Sequence, residues 1–213
     1  MRIHSKIIKE KLNNGCMKRV HIRSISFILL LACFSAHADF SFEYQRHTYE
    51  VITSNKNWKG SQLYAQSRSI GGKTGYLVII NDKNENNEIF KQLRKKISSA
   101  SHSKTKAPDG GGGSYVWIGA SDIKKEGKWI WSNGVNFWRG NSSGKAVKGN
   151  FNNWPKGKEP DDYLKKQDAA GISLNGWPLG KAGQWNDVNS KNKLFFIIEY
   201  DAIGKIVKQK NKK

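Results

Sequence analysis

Aromatic and β-branched residues dominate from Phe40 to Ile52 (Phe42, Tyr44, Thr48, Tyr49, Val51), which predicts a strand. A helical pattern begins at Asn57-Trp58, continues through Leu63 and Ala65-Gln66 to Ser69, and meets a stop at Gly71-Gly72. Tyr76-Leu77-Val78-Ile79-Ile80 is a short apolar run of strand type. Asn81-Asp82 opens a second helix, with Glu85, Ile89, Phe90 and Leu93 at helical spacing up to Ile97. Residues 98–113 are polar, rich in glycine and without period. Tyr115 to Gly119 and Lys128 to Trp131 read as two strands around a turn containing Gly127. Residues 132–184 read as one long loop full of Gly, Asn and Trp, and a loop that long inside a compact domain is usually functional. Gln184 to Asp187 and Leu194 to Tyr200 read as a closing pair of strands, and no internal repeat is found.

Composition narrows the class. With 213 residues there is room for one ordinary domain, and eight Trp among 37% hydrophobic residues can build a core. No apolar run is long enough for a membrane span, so no integral membrane segment is expected. Lys and Arg number 37 against 17 Asp and Glu, a net charge of +20, which predicts affinity for polyanions. The N-terminus changes this balance. Lys18, Arg19 and Arg23 precede an apolar stretch from Ile25 to Phe34, followed by Ala36-His37-Ala38. That order reads as a secretory signal peptide over 1–38, cleaved after Ala38 and leading to the periplasm or the outside. Met17 would be the true start if residues 1–16 are an upstream misreading. A lipobox reading of Leu30-Leu31-Ala32-Cys33 competes, but Phe34-Ser35 continues it poorly. Cleavage leaves 30 basic and 16 acidic residues, a net +14, and removes Cys16 and Cys33, so no disulfide, thiolate metal site or thiol catalysis is expected. Residues 39–201 would form the domain and 202–213 a basic tail.

Several short pieces then fall in a telling order: Trp58 and Ala65, Asn81 to Asn86, Trp117-Ile118-Gly119 and Trp129 to Gly134. Asn153-Trp154, Glu159-Pro160-Asp161, Trp185-Asn186-Asp187 and Phe196 to Glu199 follow. Together they resemble the C-type lectin-like domain over nearly all of residues 42–201. The resemblance implies an α+β fold with two helices, small antiparallel sheets and a long ligand-binding loop. It departs from the family in lacking disulfides, with Ala169 and Ile198 where cysteines would stand, as in cysteine-free members seen in bacteria. The Trp residues must then hold the core together, and Trp117, Trp129 and Trp131 are assigned to it.

The chemistry of Glu159-Pro160-Asp161 can be argued from the residues themselves. A cis peptide before Pro160 would let two carboxylates converge, and converging carboxylates require a cation between them. Oxygen-only ligands select a hard cation such as calcium. The resemblance adds Asn186 and Asp187 on a facing strand, and Gln167, followed by Asp168, where the family usually has a glutamate. The implied metal ligands are Glu159, Asp161, Gln167, Asn186 and Asp187, three carboxylates and two amides, with weak affinity of order ~10⁻⁴–10⁻³ M. The implied sugar contacts are Glu159, Asp161, Gln167 and Asn186, joined by Tyr163 and Trp177 as exposed loop aromatics. Taken singly, Glu-Pro-Asp and Trp-Asn-Asp also fit ordinary polar turns.

The implied function is a secreted, calcium-dependent lectin whose partner is a carbohydrate, such as the glycan of a host glycoprotein. In the family, Glu-Pro-Asn goes with mannose-type and Gln-Pro-Asp with galactose-type ligands. Glu-Pro-Asp shares one acid with each, and Tyr163, two residues on, tips the reading toward galactose. The alternative is a calcium-independent adhesin or effector of the same fold that binds a protein or a polyanionic surface. No serine-hydrolase, zinc-protease or phosphate-loop motif occurs, and a glycosidase use of Glu159 and Asp161 has no visible support, so no enzyme is expected. Basic residues are scattered rather than interleaved with aromatics, so no specific nucleic-acid binding is expected.

Overall fold

The computed structural model describes residues 39–200; the expected signal peptide and basic tail lie outside the described residues. Strands β1 (Phe40–Tyr44) and β2 (His47–Lys56) form a hairpin where a single strand is expected from the sequence. The turn is Gln45-Arg46, both at positive φ, a geometry that usually announces itself with Asn or Gly. Helix α1 (Trp58–Gln66) starts as expected, with the Asn57 side chain accepting from Gly60 N at 2.7 Å. It ends at Gln66, with Ser67 as its C-cap, before the expected Ser69. Gly71-Gly72 do not stop it but turn a small hairpin, β3 (Ser69–Ile70) and β4 (Lys73–Thr74). β5 keeps only Tyr76–Leu77 of the expected apolar strand. Helix α2 (Lys83–Lys96) is capped by Asp82, which accepts from Asn84 N and Glu85 N.

After a 3-10 segment at Ser99–Thr105 come β6 (Tyr115–Ser121), β7 (Lys128–Trp131), β8 (Asn136–Arg139) and β9 (Lys145–Ala146). β10 (Ala169–Ser173), β11 (Trp185–Val188) and β12 (Leu194–Tyr200) complete the chain. The long loop expected over 132–184 is thus shorter, because β8, β9 and β10 lie within it. β11 and β12 do not pair with each other: β11 joins β10, while β12 joins β2, β5 and β6. The expected small antiparallel sheets are instead one ten-stranded sheet with a parallel β6–β12 pair, beside the two-stranded β3–β4 hairpin. The α+β class stands.

β6 and β12 are buried at every position. Their side chains alternate between two apolar clusters. Val116, Ile118, Phe195 and Ile197 join one; Tyr115, Trp117, Phe196 and Ile198 join the other. Burial on both faces is why these strands read as continuous apolar runs. Trp117, Trp129 and Trp131 are core residues, as expected, and Ala169 and Ile198 sit buried in one apolar cluster. Among the described residues no helix is long and apolar enough to cross a membrane.

Gly119 shows how tightly β6 is held. Its N–H donates to Val78 O at 2.8 Å, and a Cβ there would collide with Leu77 O and stand 2.8 Å from Val78 O. Gly119→Ala is expected to cost ~1–3 kcal/mol by overpacking. The check is urea unfolding, where the midpoint should fall at an unchanged m-value. An unmoved midpoint would mean that residues 77–78 yield freely.

Candidate functional site

β11 places Asn186 and Asp187 under the loop that carries Glu159 to Asp162. The Glu159–Pro160 peptide is cis, and the carboxylates of Glu159, Asp161 and Asp187 come within 4.8 Å of one another. Asp187 is fully buried and clamps the loop: Oδ1 accepts from Asp161 N at 3.1 Å and Oδ2 from Asp162 N at 2.8 Å. Glu159 is nearly buried too. Its Oε1 accepts from Trp177 Nε1 at 2.9 Å, while no donor among the described residues reaches Oε2.

Asn186 is oriented by a relay. Tyr115 donates its hydroxyl proton to Gly110 O, so it can only accept from Asn186 Nδ2, at 2.9 Å. Asn186 Oδ1 is thereby turned away from Tyr115, and it is buried without a partner. Gln167 has both ends engaged. Its Oε1 accepts from Tyr163 N at 2.7 Å, and its Nε2 donates to Asp109 O and Oδ2.

Three carboxylates at this separation do not ionise together without cost. Burial pushes the Glu159 carboxyl up to about 7; the Trp177 bond opposes this and the Asp161 charge adds to it. Burial, then the Glu159 charge, raises Asp187 well above the usual range against the pull of its backbone bond to Asp162. Burial raises Asp161 as well. Two buried acceptors lacking donors, beside acids that repel, make a set suited to a hard divalent cation.

Glu159, Asp161, Tyr163, Gln167, Trp177 and Asn186 all line one cavity of about 260 Å³, and Asp187 lies beneath it. Tyr163 is 54% exposed, as a loop aromatic was expected to be. Trp177 is not: it is buried, edge-on to Tyr115, and serves as the donor that fixes Glu159. The opposite wall is Pro108 to Gly111, from the segment whose sequence has no period. Gly111, at φ +62°, lets this turn approach the Trp177 turn, since a Cβ there would stand 2.8 Å from Pro178 Cδ.

Sequence reasoning did not find Asp109. Its carboxylate accepts from Gln167, from Asn189 N at 2.7 Å and from Asn192 Nδ2 at 2.6 Å, tying the loop to the cavity floor. A lone acid in a Gly-rich loop gives no signal for partners so distant in sequence. Nor did it find a second carboxylate cluster, Asp122, Glu126 and Asp168. Asp122 Oδ2 accepts from Gly127 N at 2.9 Å and Oδ1 is buried without a partner. Burial raises Asp122 to about 8, with the charges of Glu126 and Asp168 adding. The four-residue spacing of Asp122 and Glu126 around one turn was the available clue.

A family model for the lectin C-type domain matches residues 54–199. Halomucin of Haloquadratum walsbyi is 31% identical over 159 residues, 73% of this chain, though these make up 1% of that protein. The galactose-specific lectin nattectin of Thalassophryne nattereri is 30% identical over 82 residues, 38% of this chain and 40% of its own. The chain thus spans far less than two thirds of either relative. The solved C-type lectin CEL-I from Cucumaria echinata shares the fold at a TM-score of 0.54 and 20% identity, over 75% of this chain and 94% of its own. The matched stretch runs from the end of β2 through β12 and takes in every residue of both carboxylate clusters, and this chain belongs to the C-type lectin domain family.

Proposed function

We propose that this protein is an exported, calcium-dependent carbohydrate-binding lectin, a binding protein and not an enzyme. The observation that carries this reading is the pair of buried, unpartnered acceptors, Glu159 Oε2 and Asn186 Oδ1, beside three converging carboxylates at a cavity. Glu159, Asp161, Asn186 and Asp187 would hold calcium, with the Gln167 carboxamide at its border. Bound there, calcium supplies positive charge and coordination positions open to sugar hydroxyls. The chain's own groups present mainly acceptors, because Gln167 Nε2 bonds Asp109 twice and Asn186 Nδ2 gives one of its two protons to Tyr115. Sugar hydroxyls would therefore donate to Glu159, Asp161 and Asn186. The Asp122, Glu126 and Asp168 cluster, with its unpartnered Asp122 Oδ1, fits a second cation of the same class. The signal-peptide pattern supports export to the periplasm or beyond.

Tyr163 supports a galactose-type ligand over a mannose-type one, since its exposed ring at the cavity wall can pack on an apolar sugar face. The similarity to a galactose-specific lectin points the same way. A glycan array run with calcium and then with chelator tests the lectin reading: binding should vanish with chelator. Galactose should compete better than mannose, and Tyr163→Ala should shrink that difference by about fivefold, the equivalent of ~1 kcal/mol of ring contact. Mannose winning would overturn the sugar assignment. Binding that survives chelator and fades with salt would favour the second reading, attachment to a protein or polyanion through the net charge of +14 left after signal-peptide cleavage.

A further inference from the structure

The outer side of the Trp177 turn carries chemistry opposite to that of the carboxylate cavity. Pro178 and Leu179 line that cavity on one side and line a second cavity of about 290 Å³ on the other. The second cavity is walled by Lys156, Lys158 and Lys181, together with Pro155 and Gln184, and no acidic side chain lines it. All three lysines are exposed, and among the described residues none of their ammonium groups takes part in an ion pair.

The backbone beneath these lysines is well held. Lys158 N donates to Pro155 O at 3.0 Å, one residue before Glu159, whose own N–H bonds the same carbonyl at 3.1 Å. Lys181 N donates to Gln184 Oε1 at 2.9 Å, and Gln184 N returns a bond to Lys181 O at 3.0 Å. The turn between the cavities closes on itself through the Trp177 and Gly180 backbones, and Gly180 leaves no room for a side chain against Trp177 and Pro155. Three cations gathered around one concave site without a counter-charge repel one another and focus an attractive field for an anion. No aromatic ring lines the site, so it offers bases no stacking platform.

We infer that the lysine cavity is an anion subsite for a sulfate or carboxylate group borne on a glycan whose neighbouring sugar occupies the carboxylate cavity. This rests on the sugar reading of that cavity and narrows the ligand class to acidic glycans. The shared Pro178–Leu179 wall puts the two groups on the same sugar residue or on adjacent ones.

The test compares an immobilised galactose-terminated oligosaccharide with its sulfated counterpart, in calcium and in chelator, at moderate salt. The sulfated glycan should bind about tenfold more tightly, as expected for three exposed charge contacts each worth a few-fold. In the variant combining Lys156→Ala, Lys158→Ala and Lys181→Ala the ratio should fall to near unity. A variant combining Lys83→Ala, Lys95→Ala and Lys96→Ala removes the same charge from α2 and should keep the ratio. Equal affinity for both glycans in the wild type overturns the subsite, as does an equal fall in both triple variants. A preference that persists in chelator overturns the coupling of the two cavities. If neither glycan binds in a calcium-dependent way, the sugar reading itself fails and takes this inference with it. If the neutral glycan binds and sulfation adds nothing, only the lysine cavity is struck out.

Discussion

Trp185→Ala is expected to remove most or all of the stability of the domain. Trp185 is fully buried, and its ring meets Trp131, Phe137, Phe151 and Trp154 edge-on, at centroid distances of 5.5, 6.1, 5.6 and 5.7 Å. Its Nε1 donates to Asn86 Oδ1 at 2.7 Å, which fastens α2 to β11. Truncating such a side chain costs about 3–5 kcal/mol for lost transfer and cavity. Leaving Asn86 without its donor adds ~1 kcal/mol or more. Domains of this kind hold only ~5–15 kcal/mol in total. No cysteine occurs in residues 39–200, so no cross-link softens the loss. Trp185→Phe, which keeps a ring and loses the N–H, should fall between the two and still unfold cooperatively. Thermal and urea unfolding of both variants provide the measurement. A loss below ~2 kcal/mol for the alanine variant would show that the aromatic cluster does not do the work of the missing disulfides.

Calcium should stabilise the protein, and the size of the effect should depend on pH. At ~10 mM calcium and a dissociation constant of ~10⁻⁴–10⁻³ M, the gain is ~1.4–2.7 kcal/mol. That corresponds to a rise in Tm of roughly 3–11 °C for a domain of this size. The pH dependence follows from the raised carboxyls. In the metal-free protein Glu159 binds its proton more tightly folded than unfolded. Its contribution is therefore fully present below the ordinary carboxylate range and is lost as pH rises toward about 7. Calcium requires the deprotonated forms, so its own contribution grows over that interval. The shift should be several degrees near pH 8 and close to nothing near pH 5. Asp187→Asn should remove this site's share of it, leaving only what the Asp122, Glu126 and Asp168 cluster contributes. Because Asp187 also holds the Asp161 and Asp162 amides, Glu159→Gln is the cleaner variant: its remaining oxygen can still accept from Trp177 Nε1. A calcium shift of full size at low pH, or one undiminished in both variants, would place the cation elsewhere.

What the sequence made legible was set by how local each signal is. Asn57 and Asp82 announced helix starts because capping is a matter of two or three residues. β6 and β12 stood out as apolar runs because both of their faces are buried, while β7 was legible from Trp129 and Trp131 alternating onto its buried face. The Gln45-Arg46 turn stayed hidden because neither residue is a usual turn former, so two strands read as one. Gly71-Gly72 carried a real turn signal that belonged to a hairpin and not to the helix before it. At the site, Glu159, Asp161, Asn186 and Asp187 were found through short motifs, and the structure brings them together. Asp109 was invisible because its partners lie 58, 80 and 83 residues away. Trp177 is buried by packing against Tyr115 and bonds Glu159, pairings across 62 and 18 residues that periodicity cannot show.

The placement of β12 also governs when the domain can exist at all. This last strand is the partner of β2, β5 and β6, so the sheet has no centre until Leu194–Tyr200 is available. Its contacts with β2 join residues as far apart as Thr48 and Tyr200, a long loop to close before any reward is gained. A nascent chain that has not yet released β12 holds both halves of the carboxylate cavity, on the 159–162 loop and β11, without the strand that anchors their sheet. The central pairing therefore forms only once the chain through Tyr200 has been made, and before then the cavity has no fixed floor.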